Sequence, residues 1–131
     1  MIRTINAAER SISVVAPKIV AIGANATTII AGTTYNGVEI LPDQNETSRT
    51  EIANRYIQNV GTNDVYIAVG QKGADNVNNY HCILPAGAQK DISSHRLSVW
   101  GFSVGGSSIA TEIYHRNDLT ISPTVGSGNF I

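Results

Sequence analysis

Short apolar runs alternate with polar, turn-forming residues along this chain. In the run DVYIAVG, at 64–70, Val65, Ile67 and Val69 occupy every second position, as expected of a strand with one buried face. SIATEIYH, at 108–115, alternates in the same way. Turn-forming residues separate such runs about every ten residues, a spacing typical of β-sandwiches and barrels.

The same criteria predict strands over most of the chain. The predicted runs are SISVV (11–15), KIVAI (18–22), ATTIIA (26–31), GVEIL (37–41), RYIQNV (55–60), DVYIAVG (64–70), YHCIL (80–84), QKDIS (89–93), RLSVWGFSV (96–104) and SIATEIYH (108–115). We interpret GTTYNG, at 32–37, as a turn because glycines bound it on both sides. The pattern predicts one all-β domain over residues 1–131, an antiparallel β-sandwich or jelly roll of roughly eight strands.

The stretch NRYIQNVGTNDVYIAVGQ, at 54–71, has the form strand, polar turn, strand. Its central GTND supplies the Gly, Asn and Asp that favour a tight turn, so the stretch predicts a β-hairpin. SVGGSS, at 103–108, predicts the turn of a second hairpin. A short helix over 48–60 is the alternative for the first strand, since Ile52 and Tyr56 are four residues apart, but its β-favouring residues favour a strand.

Charged residues are scarce in this chain. They make up 15% of the sequence, against about 25% in an average globular protein. With 9 Lys and Arg against 10 Asp and Glu, the formal net charge is −1 and no basic cluster appears, so we expect no nucleic-acid partner. No run approaches the roughly 18 apolar residues of a membrane helix, and the start MIRTINAAERSISVV does not resemble a signal peptide. We therefore expect no membrane partner and folding in a cytoplasm.

Catalytic and metal-binding patterns are weak in this sequence. Tyr80-His81-Cys82 pairs a thiol with an imidazole, but neighbouring strand residues point to opposite faces, so His81 cannot activate Cys82 directly. The histidines at 81, 95 and 115 lack the paired short spacing of zinc ligands. No phosphate-binding loop is recognisable. We predict a protein without enzymatic activity, cofactor or metal.

The aromatic residues near the end of the chain permit two interpretations. Trp100 and Phe102 share one face of a predicted strand, which in a sandwich usually belongs to the core. The alternative is an exposed aromatic surface that stacks on sugar rings. In that alternative the candidate glycan contacts are Trp100, Tyr80 and Tyr66.

The order of these elements resembles small virion proteins of tailed bacteriophages. The resemblance rests on RYIQNVGTNDVYIAVGQ, then YHCILPAGAQKDI, then LSVWGFSVGGSSIATEIYH, and it covers residues 55–115. Its motifs are structural: Asn59-Val60-Gly61 forms a turn, and Pro85-Ala86-Gly87 ends a strand. Capsid decoration (cement) proteins, head spikes and tail fibre modules share this layout of β-sandwich or jelly-roll strands.

The resemblance implies a structural role in a virion. Its first expectation is a decoration subunit that stabilises a phage head by contacting the major capsid protein. The alternative is a receptor- or glycan-binding spike or fibre module. Decoration proteins sit on capsid symmetry axes, which implies a homotrimer first and a homopentamer second. In that assembly the candidate contacts are Ile2, Ile5, Phe130 and Ile131, on terminal arms that order against a neighbour; frayed ends are the alternative.

Overall fold

The computed structural model describes residues 12–14, 18–43 and 52–116, which form strands and loops. The strands are β1 (Ile12–Val14), β2 (Lys18–Ile22), β3 (Thr27–Ile30), β4 (Thr33–Asn36), β5 (Val38–Leu41), β6 (Ile52–Asn59), β7 (Val65–Val69), β8 (Cys82–Leu84), β9 (Gln89–Asp91), β10 (Val99–Phe102) and β11 (Ser107–Arg116). The predicted all-β class is confirmed. The two large sheets hold nine strands, close to the roughly eight predicted for the sandwich, and the β3–β4 hairpin brings the described residues to eleven.

Two antiparallel sheets and a hairpin make up the architecture. The first sheet has five strands in the order β1-β11-β6-β9, with β2 also paired to β11. The second has four strands in the order β5-β10-β7-β8, and β3 pairs with β4 alone. The inward residues of the two larger sheets pack together, which makes the domain a β-sandwich.

The main core fills the space between the two large sheets. Its buried aliphatic side chains come from both sheets: Ile22, Ile57 and Ile109 from the first, and Ile40, Leu41, Val65, Ile67, Leu84 and Val99 from the second, with Ile92 beside them. Each fully buried aliphatic side chain stabilises the fold by about 1.5–3 kcal/mol. The alternation seen in the sequence is therefore used as predicted in β7 and β11.

A second, smaller core lies on the opposite face of the four-stranded sheet. Here Trp100 is completely buried, with Phe102 and Ala68 beside it. Ile30 and Tyr35, from the β3–β4 hairpin, cover them, and the Tyr35 and Trp100 rings lie 6.0 Å apart. The hairpin thus forms a third layer, and all four residues of β10 are buried because this strand has protein on both faces.

Strand β4 was not predicted, because its residues were interpreted as a turn. The actual turn is Ala31-Gly32, two residues that connect β3 to β4 with φ values of 49° and 83°. Positive φ at both positions is the type I′ geometry that matches the twist of a two-stranded hairpin. The glycine at position 32 suits the second of these positions, and Thr33 already pairs with Ile30 across the hairpin.

The two hairpins predicted from turn residues were wrong. Strand β6 belongs to the five-stranded sheet and β7 to the four-stranded sheet, so the stretch at 54–71 crosses between sheets. Strands β10 and β11 are likewise in different sheets. The short helix considered for 48–60 is absent where that range is described, since residues 52–59 form β6. The turn residues were correctly located, but the connections they make are crossovers.

Candidate functional site

The connections β6–β7, β8–β9 and β10–β11 each cross from one large sheet to the other. Their loops lie at 60–64, 85–88 and 103–106. Direct hydrogen bonds join these loops, since the Asn63 side chain donates to the carbonyl of Gly106 over 2.7 Å and the Gly87 amide donates to the carbonyl of Asn59. The three loops therefore meet at one end of the sandwich, which we call the crossover end.

The side chain of Asn59 lies at the centre of the crossover end and is completely buried. Its amide nitrogen donates to the carbonyls of Asn63 and Leu84, each over 2.8 Å. Its amide oxygen accepts from the Gly61 backbone over 3.0 Å and from the Ser107 hydroxyl over 2.7 Å. One amide group thus joins residues on all three crossovers, and a buried polar group with this many partners specifies one arrangement of the loops.

Backbone hydrogen bonds also hold the crossover end together. The Asn59 amide donates to the carbonyl of Ala88 over 2.9 Å, which ties the end of β6 to the β8–β9 crossover. Gly61 has no room for a side chain, since a Cβ there would lie 2.1 Å from the Ser107 hydroxyl oxygen. The motifs Asn59-Val60-Gly61 and Pro85-Ala86-Gly87, which carry the phage resemblance, are therefore in contact with each other.

The loop at 70–81 is held together by its own side chains. One carboxylate oxygen of Asp75 accepts the backbone N–H groups of Val77, Asn78 and Asn79, each over 2.9 Å. These donors, with Val77 and Asn78 contributing most, lower the pKa of the Asp75 carboxyl group. Asn79 donates to the carbonyl of Gly73 over 2.9 Å. The polar residues of this loop are used to order the loop itself.

The three candidate glycan contacts have different surroundings in the structure. Tyr66 and Tyr80 lie together, with ring centroids 5.2 Å apart and an edge-on geometry, and 39% of Tyr80 is exposed. Ile83 pairs with Tyr66 across β7 and β8 and is also exposed. Trp100 is completely buried beneath the hairpin, so it offers no surface to a sugar. Its core interpretation agrees with the structure, whereas its glycan interpretation does not.

The thiol and imidazole at positions 81 and 82 have separate surroundings. Cys82 is half-buried and packs against the main core. The Nδ1 atom of His81 accepts the backbone N–H of Val69 over 3.1 Å, and the His81 amide donates to the carbonyl of Ile67. At this end of the β7–β8 pairing, the imidazole nitrogen therefore accepts the hydrogen bond that a backbone carbonyl would accept in a regular ladder.

The other expectations from the sequence concern metal ligands, membrane helices and the terminal assembly contacts. Across residues 12–14, 18–43 and 52–116, no group of three or more His, Cys, Asp or Glu side chains is arranged to hold a metal ion. The same ranges contain no helix that is long and apolar enough to cross a membrane. The candidate assembly contacts Ile2, Ile5, Phe130 and Ile131 lie outside the described residues.

The inward face of β6 carries the polar residues that sequence reasoning missed. Arg55, Ile57 and Asn59 alternate on this face, and all three are buried. Arg55 was noted only as the start of a strand, and Asn59 only as a turn residue. Their shared parity with Ile57 was the available signal, since residues two apart on a strand face the same side.

No protein-family model matches the chain, and no curated protein matches it. The resemblance to tailed-phage virion proteins therefore stays a prediction that rests on the motifs at 55–71, 80–92 and 97–115.

Proposed function

We propose that this chain is a structural subunit of a tailed-phage virion, acting as a capsid decoration protein through protein–protein contacts. The observation that carries the proposal is the exposure of large aliphatic side chains on both outer faces of the sandwich. Ile19, on the outer face of the five-stranded sheet, is 59% exposed, and Ile29, on the outer face of the hairpin, is 69% exposed. These exposed aliphatic side chains are the candidate contacts with another protein in this proposal.

The use of polar residues supports the same role. The side chains of Asn59, Asn63 and Asp75 hydrogen-bond to the backbone of this chain and order its loops. Few charged residues remain to keep neighbouring copies apart, since they form only 15% of the sequence. A stiff, weakly charged domain loses little conformational entropy when many copies pack on a shell.

The partners in this proposal are the major capsid protein and further copies of the chain. A trimer is the first expectation and a pentamer the second, because cyclic symmetry matches the axes of a capsid. The working location is the virion, after folding in the host cytoplasm. The protein would act by contact, without catalysis and without a cofactor.

The deciding experiment mixes purified protein with capsid shells and measures the copies bound per shell. We expect a fixed stoichiometry for the parent protein. Ile19→Lys and Ile29→Lys, tested separately, should fold normally, and at least one should reduce occupancy more than tenfold. Val77→Lys is the matched control, because Val77 is 75% exposed but lies on the 70–81 loop and not on a strand of either outer face. Absence of shell binding by the parent protein would reject the proposal.

A glycan-binding spike or fibre module is the second candidate, favoured by the Tyr66–Tyr80 pair. An exposed tyrosine held edge-on to a second ring offers a face on which a sugar ring can stack. In a glycan array, Tyr80→Ala should abolish binding if this candidate is correct. Tyr114→Phe is the control, because Tyr114 pairs with Tyr56 on the other sheet. Trp100→Ala is unsuitable, since it would open the smaller core.

The proposal of a non-catalytic protein has its own test. A broad panel of hydrolase substrates should show no turnover above background. The variant Cys82→Ala is the control, and turnover that disappears in this variant would contradict the proposal.

A further inference from the structure

Arg55 is a buried cation whose hydrogen bonds are incomplete. Its side chain is 1% exposed and points inward from β6. The Nη2 atom donates to the carbonyls of His95 and Leu97, the second over 3.2 Å. The Nε and Nη1 atoms are buried and find no acceptor among the described residues. Most buried polar atoms in proteins have a partner, so these two require an explanation.

Asn59 provides an internal comparison on the same face of the same strand. Its side chain is equally buried, yet both its amide nitrogen and its amide oxygen are paired. Burial therefore does not prevent a polar side chain on β6 from being fully bonded. The missing acceptors of Arg55 are therefore a property of its own surroundings on β6, and burial alone does not account for them.

The charge of Arg55 persists at neutral pH. Burial, the larger cause, and the positive charge of Arg96 together lower the pKa of the guanidinium to about 10, while Asp43 acts in the opposite direction. A pKa of about 10 leaves the group protonated at pH 7. An ionised group inside a protein is costly unless an opposite charge compensates it.

Two acceptors near Arg55 bond to other groups and not to its Nε or Nη1 atom. Asp43 accepts the backbone N–H of Ser98 over 2.5 Å. The hydroxyl of Ser93 accepts the Arg55 backbone N–H over 3.0 Å and donates to Asp91 over 2.5 Å. Within the described residues, neither Asp43 nor Ser93 accepts a hydrogen bond from the Nε or Nη1 atom of Arg55. The charges that act on Arg55 are those of Arg96 and Asp43, which have opposite signs.

From this geometry we propose that Arg55 anchors a binding site for a carboxylate ligand. A carboxylate is an anion with two acceptor oxygens, and guanidinium donors bind it with charge-assisted hydrogen bonds. The segment at 93–98 separates Arg55 from solvent at this position, because its His95 and Leu97 carbonyls accept from the guanidinium while both side chains are exposed. This inference stands apart from the proposed virion role.

Formate is a suitable probe because it is the smallest carboxylate. The full chain, labelled with ¹⁵N, is titrated with sodium formate while sodium chloride keeps the ionic strength constant. We expect a saturable shift of the Arg55 Nε–H resonance. The folding equilibrium constant should also rise about tenfold at a formate concentration ten times the Kd, because formate binds only the folded chain.

Variants and a salt control make the test specific. Arg55→Met should lose the formate response, and Arg55→Lys should retain only a weak one, because an ammonium lacks the planar donors. Lys72→Met, which removes a cation 5.8 Å from the Tyr35 ring, should respond like the parent. An unmoved Arg55 Nε–H resonance, or an equal shift with chloride alone, would overturn the proposal.

Discussion

Asn59 and Arg55 show how differently two buried polar side chains act on one strand. The Asn59 amide is bonded on both its nitrogen and its oxygen, and it joins the three crossovers. The Arg55 guanidinium holds the 93–98 segment through one nitrogen and leaves two without an acceptor among the described residues. The first arrangement specifies a fold, and the second leaves donors for a ligand.

We expect Asn59→Ala to lower the free energy of unfolding by about 2–4 kcal/mol. The substitution leaves the buried carbonyl of Leu84 without its side-chain donor and the Ser107 hydroxyl without its acceptor. Urea unfolding followed by circular dichroism measures the change. Gln58→Ala is the control, because Gln58 is the exposed neighbour on β6 and its loss should cost less than about 0.5 kcal/mol. Equal costs for the two variants would contradict the role assigned to Asn59.

The pKa of Asp75 leads to a prediction about acid. Because its folded-state pKa is lowered, Asp75 contributes stability that is complete above its ordinary pKa of about 3.9 and is lost as the pH falls through the lowered value. Asp75→Asn should therefore destabilise the protein at pH 7 and have a smaller effect near pH 2. Urea unfolding at both pH values tests this. Val77→Ala, which keeps its backbone donor, should not change the pH dependence.

At the scale of elements, β10 is the strand on which the two cores depend. Val99 faces the main core, whereas Trp100 and Phe102 face the hairpin. Gly101 lies between them, where a Cβ would come within 2.6 Å of the Ile40 Cδ1 atom. A strand with protein on both faces tolerates little change in side-chain volume.

We expect Gly101→Ala to destabilise the protein by about 1–3 kcal/mol through overpacking. Ile40→Val removes the nearest atom, so the double variant should be more stable than the sum of the two single costs implies. Thermal unfolding of the parent, both single variants and the double variant completes the cycle. Strictly additive costs would mean that Ile40 is not the obstacle.

Trp100 is the only tryptophan in the chain, so its fluorescence reports on the hairpin layer. Tyr35→Ala removes a ring that covers Trp100, and we expect the emission maximum to shift to longer wavelength as water approaches the indole. Ile29→Ala is the matched control, because Ile29 is on the outer face of the same hairpin. An unchanged spectrum for Tyr35→Ala would show that the hairpin does not shield the indole.

At the scale of the whole molecule, the crossovers close one end of the sandwich. Each crossover moves the chain from one large sheet to the other, so the two sheets cannot separate without breaking the bonds around Asn59. The outer faces, with Ile19 and Ile29, remain available for contact. Rigidity at one end and exposed aliphatic faces together favour an assembly component.

The terminal arms are tested by deletion. If residues 126–131 anchor the chain to a neighbour, their removal should leave the circular dichroism spectrum unchanged and weaken shell binding or oligomerisation. Each buried anchor such as Phe130 would contribute about 1.5–3 kcal/mol to the contact. Analytical ultracentrifugation measures the oligomer, and unchanged assembly would reject the arm hypothesis.

The sequence by itself determined every described strand except β4, because strand formation depends largely on local alternation. Val65, Ile67 and Val69 predicted β7 from three positions of one run. The parity of Cys82 with Leu84, on the core side of β8, was equally readable. Among the candidate glycan contacts, Tyr80 is exposed as that interpretation requires, whereas Trp100 is buried.

Only the tertiary structure decided which strands pair and what covers each face. The residues of a polar turn serve a hairpin or a crossover equally well, and the choice depends on distant partners such as Ile109, which pairs with Asn59. Trp100 is buried because an unpredicted strand, β4, lies in the layer above it. The buried state of Arg55 likewise depends on the 93–98 segment, which packs on it from about 40 residues away in sequence. Strand pairing and the burial of these side chains depend on contacts between residues far apart in sequence, and a local pattern of residues carries no information about such contacts.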